Sequence, residues 1–254
     1  FDIYDSMQKH LAALEEYKPT IIVAPPSVLG IIAEHVKNHK LSIKPQKIIA
    51  VAEVLSARDE KRLKQIFEQD TIFQAYQCTE GFLAHTCNHG SLHLNEDIAY
   101  IEKEFIDTRR FIPIVTDFRR RTQPIVRYRL NDILVLSNKT CVCGSATTLI
   151  DRIEGREDDI FMFKNQANEL ISIFPDIIGR CLLYTKNIRE YRVVQTGYDS
   201  VVVQLDYSDQ KMKRDIVKEF KRLADKMSFI APELHFEPYK LNLNRKLKRI
   251  ERQF

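Results

Sequence analysis

A chain of 254 residues, 44% hydrophobic and 29% charged, has the composition of an ordinary globular protein, with room for one large domain or two of usual size. Its net charge of +4 is too mild to demand a nucleic-acid partner. No stretch approaches the roughly 18 to 20 consecutive apolar residues of a membrane span, and the opening FDIYDSMQKH lacks a signal peptide's basic start and apolar middle, so a cytoplasmic location is expected.

Residues 5–17 place Met7, Leu11 and Leu14 at helical spacing, and Pro19 helps to end the helix. Thr20 to Ala24 is almost wholly apolar, the pattern of a strand buried on both faces of a parallel sheet. Pro25-Pro26-Ser27 makes a turn, with Ser27 expected to cap a helix running to about Val36. The unit then repeats: a second buried strand over 47–52, a helix over 57–68 capped by Ser56, and a third strand over 71–76. Strands alternating with helices predict a mainly parallel α/β sheet with right-handed crossovers.

After Gly81 the period changes. Segments 91–105, 111–118 and 124–136 are strand-like with polar turns between them, which predicts an antiparallel or barrel-like β layer. Near residue 155 the character changes again: a strand over 157–164, a helix over 173–184 with Pro175 in its first turn, a strand pair over 190–196 and 200–206, an amphipathic helix over 209–226 and a closing strand over 233–238. The expected division is therefore 1–155 and 156–254.

Three stretches carry chemistry. In Tyr76-Gln77-Cys78-Thr79-Glu80-Gly81, expected to break from a strand into a polar loop, the ring of Tyr76 suits stacking on a flat base. Thr79 suits a phosphate, and Glu80 a hard cation such as magnesium. In Pro124-Ile125-Val126-Arg127-Tyr128-Arg129-Leu130-Asn131-Asp132, the final carboxylate suits the two hydroxyls of a ribose. In Asp151-Arg152-Ile153-Glu154-Gly155-Arg156-Glu157-Asp158-Asp159, a glycine followed by dense charge at a domain junction suits a hinge.

The five cysteines are odd in number and grouped, which favours metal binding in a reducing compartment over a disulfide framework. Cys141 and Cys143 form a tight pair before Gly144; with Cys87 and His93 they make a closed Cys3His zinc set, in which His85 or His89 are the alternatives to His93. Cys78 and Cys181 read as packing residues. Arg109, Arg110, Arg119, Arg120, Arg121, Arg127 and Arg129 offer positive charge but no RNA- or DNA-binding motif, so they read as solvated faces or as sites for ATP and coenzyme A phosphates.

In this order, YQCTEG, VRYRLND, RIEGREDD and a Lys-rich C-terminus, the motifs resemble the adenylate-forming enzymes, specifically the phenylacetate-CoA ligase branch. Ser91-Leu92-His93-Leu94-Asn95-Glu96-Asp97 is similar to that branch's Gly-Leu-His-x-x-Glu-Asp, and some members carry a similar cysteine cluster. The resemblance implies the latter part of a large N-terminal domain, a parallel α/β sheet plus β layer, followed by a small α+β C-terminal domain. It implies that Tyr76 lies against adenine with Ala52 and Glu53 beside it, that Thr79 meets phosphate and Glu80 magnesium, and that Asp132 holds the ribose, reinforced by Arg156. Asp158 becomes the hinge, and Lys246, with Lys248 as competitor, the lysine over the transferring phosphate.

The implied function is an ATP-dependent, AMP-forming ligase that activates a small carboxylic acid, with Phe82 and Leu83 hinting at an apolar or aryl one, for transfer to coenzyme A or a carrier protein's phosphopantetheine thiol. Two departures stand out. The family's Ser/Thr/Gly-rich phosphate loop is absent from these residues, so the N-terminal part is expected to be missing. Arg245 precedes Lys246, and Lys164-Asn165-Gln166-Ala167 follows the hinge strand, where the family has glycines. The alternative is a non-catalytic, zinc-stabilised nucleotide- or partner-binding module; a homodimer is left open.

Overall fold

The computed structural model describes residues 5–183, 185, 188–240 and 247–254. Two compact units emerge: residues 1–130 with 134–153, and residues 131–133 with 154–254.

In the first unit, α1 (Met7–Tyr17) is capped by Ser6, whose side chain accepts from the Lys9 N–H. Then β1 (Ile21–Ala24), α2 (Pro26–Lys37), β2 (Lys47–Val51), α3 (Ala57–Phe67) and β3 (Phe73–Cys78) alternate, and β1, β2 and β3 pair in parallel. Helices and strands bury Leu14, Leu29, Ile32, Ile48, Leu63 and Ile72 between them. Seven strands follow: β4 (Gly81–Thr86), β5 (Leu92–Leu94), β6 (Ala99–Phe105), β7 (Arg110–Asp117), β8 (Ile125–Arg129), β9 (Asp132–Leu136) and β10 (Leu149–Arg156). They continue the same sheet in the order β1-β2-β3-β4-β5-β10-β9-β7-β6, with β8 paired to β7. A second apolar cluster, including Leu83, Leu94, Phe111, Val115, Leu134 and Ile150, lies under this antiparallel part.

Several sequence expectations are corrected. Strand β1 is covered on one face only: Ile22, 6% exposed, packs into the core with Leu29 and Ile48, but Ile21 and Val23, on the opposite face, are 53% and 57% exposed. Ser27 is not a cap, since α2 begins at Pro26, a residue pre-set for a first helical turn, with Pro25 at the cap position. The region 124–136 is two strands, broken at Leu130 and Asn131. The charged stretch 151–156 is strand β10, with Gly155 at φ +137°, a backbone that side chains disfavour.

In the second unit a 3-10 turn (Glu157–Asp159) precedes β11 (Phe161–Lys164) and β12 (Leu170–Ile173), an antiparallel pair. Then come α4 (Pro175–Leu183), β13 (Tyr191–Gly197), β14 (Ser200–Leu205), α5 (Gln210–Met227), β15 (Glu233–Pro238) and β16 (Ile250–Arg252). The four-stranded sheet runs β15-β14-β13-β16; its central pair is antiparallel, and β15 and β16 add in parallel at its edges. Met212, Ile216, Phe220 and Ala224, at helical spacing on α5, bury one face of that helix. They join a core with Phe161, Phe163, Val193 and Val203, in which Phe163 stacks on Phe229 at 4.6 Å. Strands β12 and β16, at four and three residues, are too short for alternation to announce. Among the described residues no helix is long and apolar enough to cross a membrane.

Candidate functional site

Open parallel sheets bind ligands outside the carboxyl ends of their strands. Here β2 and β3 pair with Val51 opposite Ala75, so Ala52 and Tyr76 leave the paired region at the same level. Ala52 is exposed and holds φ +67°, and the Glu53 N–H donates to the Val51 carbonyl at 2.8 Å, closing a three-residue turn. The Glu53 carboxylate accepts the Ser27 N–H and the Ser27 hydroxyl, each at 3.0 Å. Glu53 thus supplies from another loop the cap that α2 lacks, its charge matched to the positive end of the helix.

The Thr79-Glu80 pair lies not in a long loop but at a hairpin tip. Cys78 pairs with Gly81, leaving Thr79 and Glu80 as a two-residue turn between β3 and β4. Thr79 is exposed and Glu80 half-buried. A side chain at Gly81 would meet Leu83 Cδ2 at 3.2 Å, a tight contact against a buried leucine. Burial, together with the neighbouring Glu80 side chain, pushes the Cys78 thiol up to about 11, and burial pushes Cys181 up to about 12; both stay neutral thiols. Leu83 is core at 1% exposure, while Phe82 is exposed.

The remaining motif residues gather in the second unit. Arg156 Nε lies 3.5 Å from Asp132 Oδ1. Asn131, adjacent to Asp132, takes the Glu157 N–H on its carbonyl at 2.7 Å and donates from Nδ2 to Asp158 Oδ2 at 3.0 Å. Asp159 is 4% exposed and accepts from Lys248 Nζ at 3.0 Å; burial pushes its carboxyl up while Lys248 works against that shift. Lys248 is therefore engaged by a buried carboxylate. Lys246 lies outside the described residues.

At the far end of β4 from the Thr79-Glu80 turn, Cys87, His93, Cys141 and Cys143 present donor atoms all within 4.8 Å of one another. Cys87 Sγ to Cys141 Sγ is 3.6 Å, and Cys143 Sγ to His93 Nε2 is 3.4 Å. Zinc–sulfur bonds of about 2.3 Å and zinc–nitrogen bonds of about 2.0 Å set tetrahedral edges of about 3.5 to 3.8 Å, so the residues fit zinc. His93 is buried at 2%, and its Nδ1 meets Thr147 Oγ1 at 3.1 Å, which leaves Nε2 for the cluster. A hydrogen bond with Ser91, then the Cys143 N–H and His93, hold the Cys141 thiol down at about 5. Cys143 is raised: the Ser145 N–H favours its anion, but Cys141 and burial outweigh it. The opposed shifts of Cys141 and Cys143 are those of two thiols that repel as anions, a repulsion a bound cation would relieve. His85 instead meets Asn95 Oδ1 at 2.5 Å, and neither His85 nor His89 joins the cluster. Glu96 accepts from the Thr148 N–H at 2.7 Å and hydroxyl at 2.8 Å, fastening the cysteine-bearing loop to the end of β5.

Sequence reasoning missed Thr147 and Ser91 as supports of the cluster, and Asn131 as the holder of the 3-10 turn. Small polar residues in turns carry no periodic signal, although Asn131 stands directly beside a motif carboxylate.

No family model matches the chain. It is 26% identical over 222 residues to protein CapK of Staphylococcus aureus, covering 85% of this chain and 48% of that protein. It is 22% identical over 193 residues to phenylacetate-coenzyme A ligase of Thermus thermophilus, covering 69% of this chain and 42% of the enzyme. The chain thus spans about half the length of the curated relatives it matches. Its fold is that of 2-hydroxyisobutyryl-CoA ligase, solved in the postadenylation state with R3-HIB-AMP: the TM-score is 0.74 at 18% identity, over 100% of this chain and 59% of that one. The chain thus has the fold of solved acyl-CoA ligases that carry acyl-adenylates, and its sequence is similar to that of a phenylacetate-coenzyme A ligase.

Proposed function

We propose that the protein is an ATP-dependent, AMP-forming ligase that activates a small, apolar or aryl carboxylic acid and passes the acyl group to coenzyme A or a carrier thiol. Residues 1–155 contribute to the adenylating domain, and 156–254 form a mobile C-terminal domain turning about Asp158. The observation that carries this reading is the register of β2 and β3, which brings Ala52, Glu53 and Tyr76 together at the carboxyl edge with the Thr79-Glu80 turn just beyond.

In the reaction a substrate carboxylate attacks the α-phosphorus of ATP, forming an acyl-adenylate and releasing pyrophosphate. Negative charge builds on the phosphate oxygens in the transition state, so catalysis rests on positioning and electrostatics. Tyr76 and the Ala52 turn take the adenine, Asp132 the ribose hydroxyls with Arg156 against it, and Thr79 a phosphate oxygen. Glu80 is the ligand for magnesium, which neutralises phosphate charge when bound. Lys246 is the cation over the phosphate; the Asp159 carboxylate already holds its competitor Lys248. Zinc at Cys87, His93, Cys141 and Cys143 is structural, tying two β loops together.

The test is acid-dependent ATP–pyrophosphate exchange by the full natural protein against a panel of aryl and short aliphatic acids. Exchange with at least one acid, lost in Lys246→Ala while AMP binding persists, is the expected result. Absence of exchange with every acid, with AMP binding intact, selects the non-catalytic module instead.

A further inference from the structure

Ala52 is the position along the carboxyl edge where a side-chain-bearing residue sits in a turn at positive φ between a strand and its following helix. Such a conformation is disfavoured for a residue with a side chain and persists only where neighbours over-determine it. The neighbours here are specific. Glu53 closes the turn through its N–H to the Val51 carbonyl, and its carboxylate is fixed from both sides by Ser27. Ser27 belongs to the first turn of α2, directly after β1, whereas Glu53 follows β2. The pair therefore stitches together two adjacent strand-to-helix connections at the edge where the nucleotide is proposed to lie. Both Glu53 oxygens accept from Ser27, an arrangement that sets the carboxylate's orientation as well as its place.

We infer that Ser27 and Glu53 form a positioning pair that locks the Ala52 turn, so that its backbone and the ring of Tyr76 meet the base of the nucleotide in a fixed geometry. Glu53 acts through the turn rather than by touching adenine, and Ser27 is a working residue of the site although it belongs to a helix start. The inference rests on the nucleotide reading above. It differs in what it assigns: base recognition depends on a hydroxyl–carboxylate contact between residues 26 positions apart.

The experiment is calorimetric titration of the full natural protein, as wild type, Ser27→Ala, Glu53→Gln and Glu53→Asp, with AMP and with ribose 5-phosphate, alongside thermal melts. Loss of one hydrogen bond to a charged group corresponds to roughly tenfold in affinity. Ser27→Ala and Glu53→Gln are expected to weaken AMP about tenfold while ribose 5-phosphate affinity stays at the wild-type value, and Glu53→Asp is expected to recover part of the loss. Variants that melt lower yet keep the wild-type ratio of AMP to ribose 5-phosphate affinity make the pair merely structural and overturn the inference. A wild-type protein that binds no AMP contradicts the nucleotide reading itself, and this inference with it.

Discussion

Cys143 Sγ lies 3.4 Å from His93 Nε2, although 50 residues separate them. The contact joins the loop after β9 to strand β5, and Cys87 and Cys141 complete the set. Protein purified without chelator is expected to carry about one equivalent of zinc, falling below about half in Cys143→Ser. Metal analysis by mass spectrometry checks this, and a chelator is expected to lower the melting temperature of the wild type but not of the variant. Zinc below half an equivalent in the wild type contradicts the Cys3His site.

The buried Asp159 makes the second unit sensitive to pH. Its folded-state value is raised above the ordinary 3.8, chiefly by burial, so the native state holds more protons than the unfolded chain above that pH. Its contribution to stability is therefore greatest below about 3.8 and declines as pH rises through the raised value. Urea midpoints measured from pH 4 to 7 are expected to show this decline in the wild type and a flatter profile in Asp159→Asn.

Lys248 holds that carboxylate. Lys248→Met leaves a buried charge unpaired and is expected to cost about 1–3 kcal/mol at pH 7. Adding Asp159→Asn to the Lys248→Met variant is expected to restore most of the loss, because the uncompensated charge is gone. Equal stability of the single and double variants contradicts the pairing.

Phe163 is fully buried and stacks on Phe229, which follows the end of α5. Phe163→Ala is expected to destabilise the second unit by about 3–5 kcal/mol, from lost burial and the cavity left behind. Urea unfolding followed by circular dichroism checks this, and a cost under about 1 kcal/mol contradicts the core described.

Much of the fold was legible in the sequence because its signals are local. Ser56 announces α3 by its cap, and the side chain does accept from the Asp59 N–H at 3.1 Å. Met212, Ile216 and Phe220 announce α5 by their spacing. What failed depended on neighbours distant in sequence. An apolar run such as Ile21-Ile22-Val23 reads alike whether one face of its strand is packed or both, and only the packing over each face distinguishes the two. The serine after two prolines looks like a cap, yet its partner is a carboxylate 26 residues on. The dense charge around Gly155 hides a strand, in which Glu154 is buried at 8%. The Cys3His cluster was readable as residue types; which histidine joins it depended on the pairing of β5 with β4 and β10.

The most direct test of the proposed nucleotide site is calorimetric titration of the protein with AMP, comparing wild type with Asp132→Ala. Asp132 begins β9 with its side chain 16% exposed and Arg156 beside it, and in the proposed function it accepts from both ribose hydroxyls. Losing those bonds is expected to weaken AMP more than tenfold. AMP binding in the wild type that Asp132→Ala removes is the result this account predicts. No AMP binding in the wild type, or equal affinity in the variant, contradicts it.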